Sequence, residues 1–411
     1  MRQTFARLDG TECVMLDILA WTLAATVTVV SGIFSLECLA GLRPLRTIAG
    51  EPGPVDVAVL VPAHNEATGI ARSLAALTAV LPRGAHVLVV ADNCSDATAD
   101  LARSADVTVV ERTDPLCRGK GFALAFGRNA LADSPPAAVI VIDADCTPAA
   151  GTLGALAAMT IRLDRPLQAV NLLRSDATAP PMVQISSFAF LVKNLVRQRG
   201  SARLGGVGIL GGTGMAMPWH LFAEAPLATA DIVEDLALGI WATRRGHPPL
   251  LLEGAHVESD AAAREDTLGQ RARWEHGFLA TARRHVVPLI AEGMARRSRS
   301  MLWLGLHLCV PPLAMLMTTI ALVIVILAAL AVLGASLGPL TLTAASAAFA
   351  GVAIILAWAR EGRGTLTRRA LLYVPIYVVW KLPIYLRLLV GRRAGWRRTR
   401  RDGEPSDRPS V

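Results

Sequence analysis

Two aspartates, Asp143 and Asp145, stand two residues apart directly after the apolar run VIVI at 139–142. At the end of a buried strand, two such carboxylates repel each other unless a cation or water separates them. An all-oxygen pair of this kind suits a hard divalent ion, Mg2+ or Mn2+. A DxD on its own is usually a turn or a helix cap; the position after VIVI turns the reading toward a metal site. Lys120 lies between Gly119 and Gly121. Small neighbours let a backbone and an ammonium approach phosphate oxygens closely. Two more polar clusters follow apolar runs: Pro62-Ala63-His64-Asn65-Glu66 and Asp92-Asn93-Cys94-Ser95-Asp96. Taken alone, Asp92 and Asp96 fit a turn with a helix N-cap. A lone His64 is more often packed than reactive.

All four clusters sit where strands are expected to end. Apolar runs at 55–61, 87–90, 107–110 and 139–142 alternate with helical stretches at 67–80, 95–103 and 121–131. Short β-branched runs alternating with helices predict an α/β fold with a mostly parallel, doubly wound sheet. Ligands of such sheets bind beyond the carboxyl ends of the strands. Two other patterns are set aside. Residues 206–211 (GVGILG) match a dinucleotide fingerprint in letters but follow a polar, Arg-rich segment instead of a strand. Gly119-Lys120 is not a P-loop, because Asp114 occupies the place of its first glycine. There is no HExxH and no defensible Ser/His/Asp order.

Of the 411 residues, 53% are hydrophobic and 18% charged. That balance excludes a disordered chain and an ordinary soluble one. Net charge is +8, carried by Arg, since Lys occurs only at 120, 193 and 381. Contact with anionic membrane lipids is expected, and no nucleic-acid partner. The Cys residues at 13, 38, 94, 117, 146 and 309 form no CxxC pair, which fits reduced thiols in a cytosolic domain. Residues 18–36 are long enough to cross a bilayer and lack the basic start of a signal peptide. Further apolar runs occupy 312–336 and 340–359, with a mixed run at 371–390 that Lys381, Pro383 and Arg387 interrupt. That mixed run reads as interfacial or re-entrant, and 285–310 as a helix lying on the membrane. Arginines flanking the spans place 50–300 in the cytosol under the positive-inside rule.

The motifs VPAHNE (61–66), ADNCSD (91–96), GKG (119–121), DAD (143–145), VEDLALG (233–239) and QRARW (270–274) occur in this order before the apolar spans. In that order the chain resembles, over roughly 50–400, the membrane-bound family 2 glycosyltransferases, the group of cellulose, hyaluronan and poly-N-acetylglucosamine synthases. The resemblance implies a GT-A-type nucleotide-sugar-binding domain. It implies that Pro62, Ala63 and Glu66 line a uridine pocket, that Asp92 contacts the uracil, and that Lys120 approaches the nucleotide sugar. Asp143 would help hold the donor and Asp145 would ligate the metal. Asp235, beside Glu234, would be the general base. Gln270 and Arg273 of QxxRW would face the diphosphate, and Trp274 would stack on acceptor sugar. Val233 replaces a frequent Thr, and Asn93-Cys94 departs from the common pattern. Sugar transfer remains the expectation; long-chain processive synthesis and secretion are not implied.

These residues suit direct displacement at an anomeric carbon. The diphosphate leaving group needs positive charge, and the acceptor hydroxyl needs one base. The expected organisation is an anchor at 1–49, a cytosolic GT-A domain at 50–284, an interfacial helix at 285–311, membrane-associated helices at 312–391 and a basic cytosolic tail at 392–411. The expected protein is an inner-membrane, inverting glycosyltransferase. It would take a UDP-sugar, with glucose or N-acetylglucosamine, and Mg2+ or Mn2+. Its acceptor would be a glycan or a lipid, in cell-surface polysaccharide synthesis, with polysaccharide-export proteins as candidate partners. The alternative is a catalytically inactive, nucleotide-binding membrane subunit of a secretion complex, which the complete carboxylate motifs oppose. A nucleotidyltransferase would leave QxxRW unexplained.

Overall fold

The computed structural model describes residues 10–46, 55–260 and 264–389. Helix α1 (Gly10–Ala40) comes first. An alternating run follows: β1 (Val57–Ala63), α2 (Ile70–Thr78), β2 (Ala85–Asp92), α3 (Thr98–Arg103), β3 (Thr108–Arg112), α4 (Lys120–Leu131) and β4 (Ala138–Val141). The middle of the chain holds β5 (Cys146–Pro148), α5 (Thr152–Leu163), β6 (Leu167–Arg174), α6 (Pro181–Leu191), a π-helical turn (Val192–Arg197) and α7 (Gln198–Gly205). Next come β7 (Met215–Pro218), α8 (Trp219–Glu224), α9 (Glu234–Arg244) and β8 (Leu250–Asp260). The last part is helical: α10 (Arg264–Ala295), α11 (Arg299–Leu308), α12 (Leu313–Val332), α13 (Gly338–Ala357), α14 (Arg368–Leu371) and α15 (Val374–Leu389).

Eight strands form one sheet in the order β3-β2-β1-β4-β7-β6-β8-β5. The four strands expected from the sequence are its parallel half, with β1 between β2 and β4. β1 is buried on both faces, as its unbroken apolar run requires. Val57, Val59 and Val61 pack under α2 and α5, and Ala58 and Leu60 pack under α4 and α8. β7 is antiparallel to β4 and β6, and β5 is an antiparallel edge on β8. Neither was anticipated, because their short runs carry little periodicity.

α2 and α3 start three residues later than the sequence pattern places them. Asn65 turns through φ 54°, and the Glu66 carbonyl accepts from Gly69 and Ile70 N–H. Asp96 is not the N-cap: Ala97 takes that position, and Asp96 stands one residue before it in a turn, accepting from Thr98 N–H at 3.0 Å. Its second oxygen accepts from Ala67 N–H at 3.1 Å, which ties the loops after β1 and β2 together.

Among the described residues, three helical segments are long and apolar enough to cross a membrane: Val14–Ala40, Leu313–Val332 and Gly338–Gly362. Their apolar side chains are exposed around much of the circumference, among them Val29 and Leu36 on α1, Leu322 and Val325 on α12, and Val352 and Ile355 on α13. A helix apolar on all sides needs lipid or protein around it. The described part of α15 is 16 residues, short of the roughly 20 a perpendicular crossing needs. α10 runs unbroken through residue 284, so a single helix carries both QxxRW and the start of the 285–310 segment. The tail at 392–411 lies outside the described residues.

The membrane helices are fixed to the sheet domain by polar contacts. Glu37 of α1 accepts from Arg197 Nε at 2.7 Å and Trp303 Nε1 at 3.1 Å, and its Oε1 lies 2.7 Å from His307 Nδ1. Arg199 bridges Glu253 at 2.6 Å and Glu361 at 2.8 Å. Close glycine contacts complete the junction: a Cβ on Gly200 would come within 2.1 Å of the Glu37 carbonyl oxygen.

Candidate active site

The carboxyl ends of β1, β2 and β4 and the start of α4 enclose a cavity of about 300 Å³. Pro62, Ala63, His64 and Glu66 line it from β1 and the following loop, and Asp92 from β2. Lys120, Asp143, Asp145 and Arg273 complete the polar lining together with Arg118. His64 Nδ1 lies 2.7 Å from the Asp92 carbonyl oxygen, so His64 holds the loop ends together. The Asp92 carboxylate accepts from Arg112 Nη1 at 2.6 Å and from Asn93 Nδ2 at 3.0 Å.

Lys120 is the centre of the site. Its ammonium donates to Asp143 and, at 2.6 Å, to the Gly212 carbonyl, and it lies 3.9 Å from Glu234 Oε1. Glu234 and Asp235 form the first turn of α9, where carboxylates complement the helix dipole. Asp235 Oδ1 accepts from Leu236 N–H at 2.7 Å. Gly212 has φ 84°, and a Cβ there would come within 3.2 Å of Asp235 Oδ2 and 3.3 Å of Lys120 Nζ. The left-handed backbone favours glycine there, and a Cβ would press on both side chains. Gly121 is required for space alone, since a Cβ there would reach within 2.4 Å of the Leu227 carbonyl oxygen.

Five expected site residues thus converge: Lys120, Asp143, Asp145, Glu234 and Asp235. QxxRW divides. Arg273 lines this cavity, whereas Trp274 lines a second one of about 90 Å³. Neighbours on a helix project about 100° apart, so α10 is the wall between the two cavities. Trp274 also meets Phe190, with ring centroids 6.1 Å apart. The Gln270 side chain lies outside the described residues.

Burial raises Asp143, Glu234 and Asp235 above the usual carboxylate range, against the pull of Lys120. Glu234 is pushed up to about 8, first by burial and further by Asp235. Burial pulls Lys120 down, but Asp143, Glu234 and Asp235 together hold it above its ordinary value.

Asp143, Asp145 and Cys146 offer ligand atoms within 4.8 Å of one another. The Cys146 Sγ lies 3.2 Å from Asp145 Oδ1, and burial followed by the two carboxylates pushes this thiol far up. The thiol donates to Asp145. The carboxylate oxygens of Asp143 and Asp145 fit a hard divalent ion, Mg2+ or Mn2+.

The profile of the family described as Glycosyltransferase like family 2 matches residues 52–277, more than half of the chain. The chain belongs to that family and is a glycosyltransferase. No curated relative matches it. Among solved structures, it is similar to the mannosyltransferase PcManGT from Pyrobaculum calidifontis, in complex with GDP-Man and Mn2+. Identity is 17% and the TM-score 0.59, over 92% of this chain and 100% of that one. It is also similar to glucosyl-3-phosphoglycerate synthase from Mycobacterium tuberculosis, in complex with Mn2+, UDP and glucosyl-3-phosphoglycerate. There the identity is 18% and the TM-score 0.38, over 56% of this chain and 86% of that one. The fold is of the GT-A type.

Gly212, Thr213, Arg112 and Lys193 were not singled out from the sequence. Thr213 Oγ1 accepts from Asp143 N–H at 3.1 Å, and Arg112 holds Asp92. Lys193 acts electrostatically on Asp235. One signal was available for it: all three lysines of the chain line one cavity or the other.

Proposed function

We propose that the protein transfers a sugar, with inversion, from a UDP-sugar to a glycan or lipid acceptor in cell-surface polysaccharide synthesis. The observation that carries this reading is the convergence of Asp143/Asp145 and Glu234/Asp235 on Lys120 beside the 300 Å³ cavity. Pro62, Ala63, Glu66 and Asp92 bind the nucleoside end, with glucose or N-acetylglucosamine as the sugar. Asp143 and Asp145 hold Mg2+ or Mn2+, which when bound offsets the charge of the diphosphate. Lys120 and Arg273 add positive charge to the same leaving group. Asp235 takes the acceptor proton, the acceptor oxygen bonds to the anomeric carbon, and the nucleoside diphosphate leaves from the opposite face. One displacement inverts the anomeric configuration.

Donor hydrolysis by purified full-length protein with Mn2+, screened over UDP-glucose, UDP-N-acetylglucosamine and GDP-mannose, tests this. Release of UDP from a UDP-sugar is the expected result. Turnover of GDP-mannose alone would remove the uridine assignment. No turnover of any donor, even with membrane extract as acceptor, would remove the transferase reading.

The sheet domain belongs on the cytosolic side of the inner membrane, as the arginines flanking the spans indicate. Ser104, exposed at the end of α3, reports on this. In Ser104→Cys, an impermeant maleimide is expected to label the new thiol only after permeabilisation. Labelling in intact cells beyond that of the parent chain would reverse the orientation.

A further inference from the structure

The second cavity lies where the sheet domain meets the membrane helices, and its lining is of two kinds. Phe34 of α1 and Leu313 and Ala314 of α12 belong to candidate membrane spans, and Phe190, Trp274 and Tyr377 add aromatic surface. Ser186, Lys193, Arg197, Glu275, His307 and Lys381 supply the polar part, with Arg197 and His307 held by Glu37. Glu275 is 6% exposed, and its Oε1 accepts from Lys381. Its Oε2 is buried and has no hydrogen-bond partner among the described residues. An unmet carboxylate oxygen in an interior is unfavourable, because the water it lost has not been replaced. It calls for a hydrogen-bond donor.

α10 lies between this cavity and the nucleotide cavity: Arg273 lines one and Trp274 the other. Lys193, in the π-helical turn, lines the cavity and is close enough to Asp235 to lower its proton affinity. π-Helical turns often mark functional sites.

We propose that this cavity holds the head group of a neutral, multiply hydroxylated membrane lipid, with Glu275 Oε2 accepting from one hydroxyl while another reacts. The proposal rests on the glycosyl-transfer reading and names its acceptor class. Arg197 is paired with Glu37 and Lys381 with Glu275, so the unmet Glu275 oxygen favours a hydroxyl donor over a phosphate, and walls drawn from two candidate membrane spans favour a lipid tail over a soluble glycan. In the transfer step, the second hydroxyl's proton passes to Asp235 and its oxygen bonds to the anomeric carbon. The bond from that carbon to the diphosphate oxygen breaks, and the nucleoside diphosphate keeps the electron pair.

The test uses full-length protein in phosphatidylcholine vesicles and two probes with diazirine-bearing tails, a monoacylglycerol and a monoalkyl phosphate. The monoacylglycerol probe is expected to label peptides containing Phe190, Trp274 and Tyr377 at least several-fold above the lipid-facing surface of α12. Excess monooleoylglycerol should compete this labelling away. In Glu275→Leu/Lys381→Met both partners of the buried pair become apolar, a change that buried ion pairs often tolerate. That variant should keep a cooperative unfolding transition and lose the labelling. If it fails to fold, competition by monooleoylglycerol but not by cellotetraose carries the test on the native chain. Labelling confined to the outer surface of α12 and α13, preference for the phosphate probe, or competition by cellotetraose would overturn the proposal. Donor hydrolysis in the same vesicles separates the two levels: its absence counts against glycosyl transfer itself, and its presence with any of those three results counts against the lipid site alone.

Discussion

Asp235→Asn is expected to lower sugar transfer on the order of 10²-fold or more, about 2.7 kcal/mol, while UDP affinity stays within a few-fold. Asparagine keeps the size of the side chain and the carbonyl oxygen that accepts from Leu236 N–H. Asp235 is the second residue of α9, so the change costs at most the carboxylate's interaction with the helix dipole, about 0.3–1 kcal/mol. A structural role at the start of α9 would therefore largely survive the change, whereas a proton acceptor would not. Glu234 is the rival base, and burial raises both carboxylates, so Glu234→Gln measured beside Asp235→Asn decides between them. The nucleotide cavity is lined by other residues, so calorimetry with UDP reads binding separately from transfer. Near-normal transfer by Asp235→Asn at normal UDP affinity would mean that another group is the base.

Asp145→Ala is expected to lower transfer by roughly 10²–10³-fold or more, the several kcal/mol that charge compensation at a diphosphate supplies. Asp145 shares with Asp143 the acidic cluster at the end of β4, and it is the carboxylate to which the family resemblance gives the divalent ion. The same loss should follow chelation in the parent protein and reverse on adding Mn2+ or Mg2+. In Asp145→Ala the midpoint of the Mn2+ titration should move to much higher concentration or vanish. Undiminished turnover in excess EDTA would remove the metal from the mechanism.

The site was legible in the sequence where the chain supplies its residues in short runs after strands. Pro62 to Glu66, Asp92, Lys120 and Asp143 to Asp145 are of this kind, because in a parallel α/β unit the end of each strand is also the rim of the cavity. The helices long and apolar enough to cross a membrane were legible for a similar reason, since length and an apolar run are both read along the chain. Gly212 and Thr213 were not. They follow a stretch whose glycines mimic a dinucleotide fingerprint, and their role depends on a loop reaching Asp143 from seventy residues away in the chain.

Local chemistry along the sequence therefore determined which residue types could bind a donor, hold a cation and accept a proton, and which segments could enter a membrane. Only the tertiary structure decided how those groups are divided between two cavities. Arg273 and Trp274 are adjacent in sequence and face different chambers because of the angle between neighbours on one helix. The Glu275–Lys381 pair joins α10 to α15 across more than a hundred residues, and its unmet oxygen exists only because folding has removed water from it. Sequence spacing does not specify such a group, since its state is set by what packs around it and not by its neighbours along the chain.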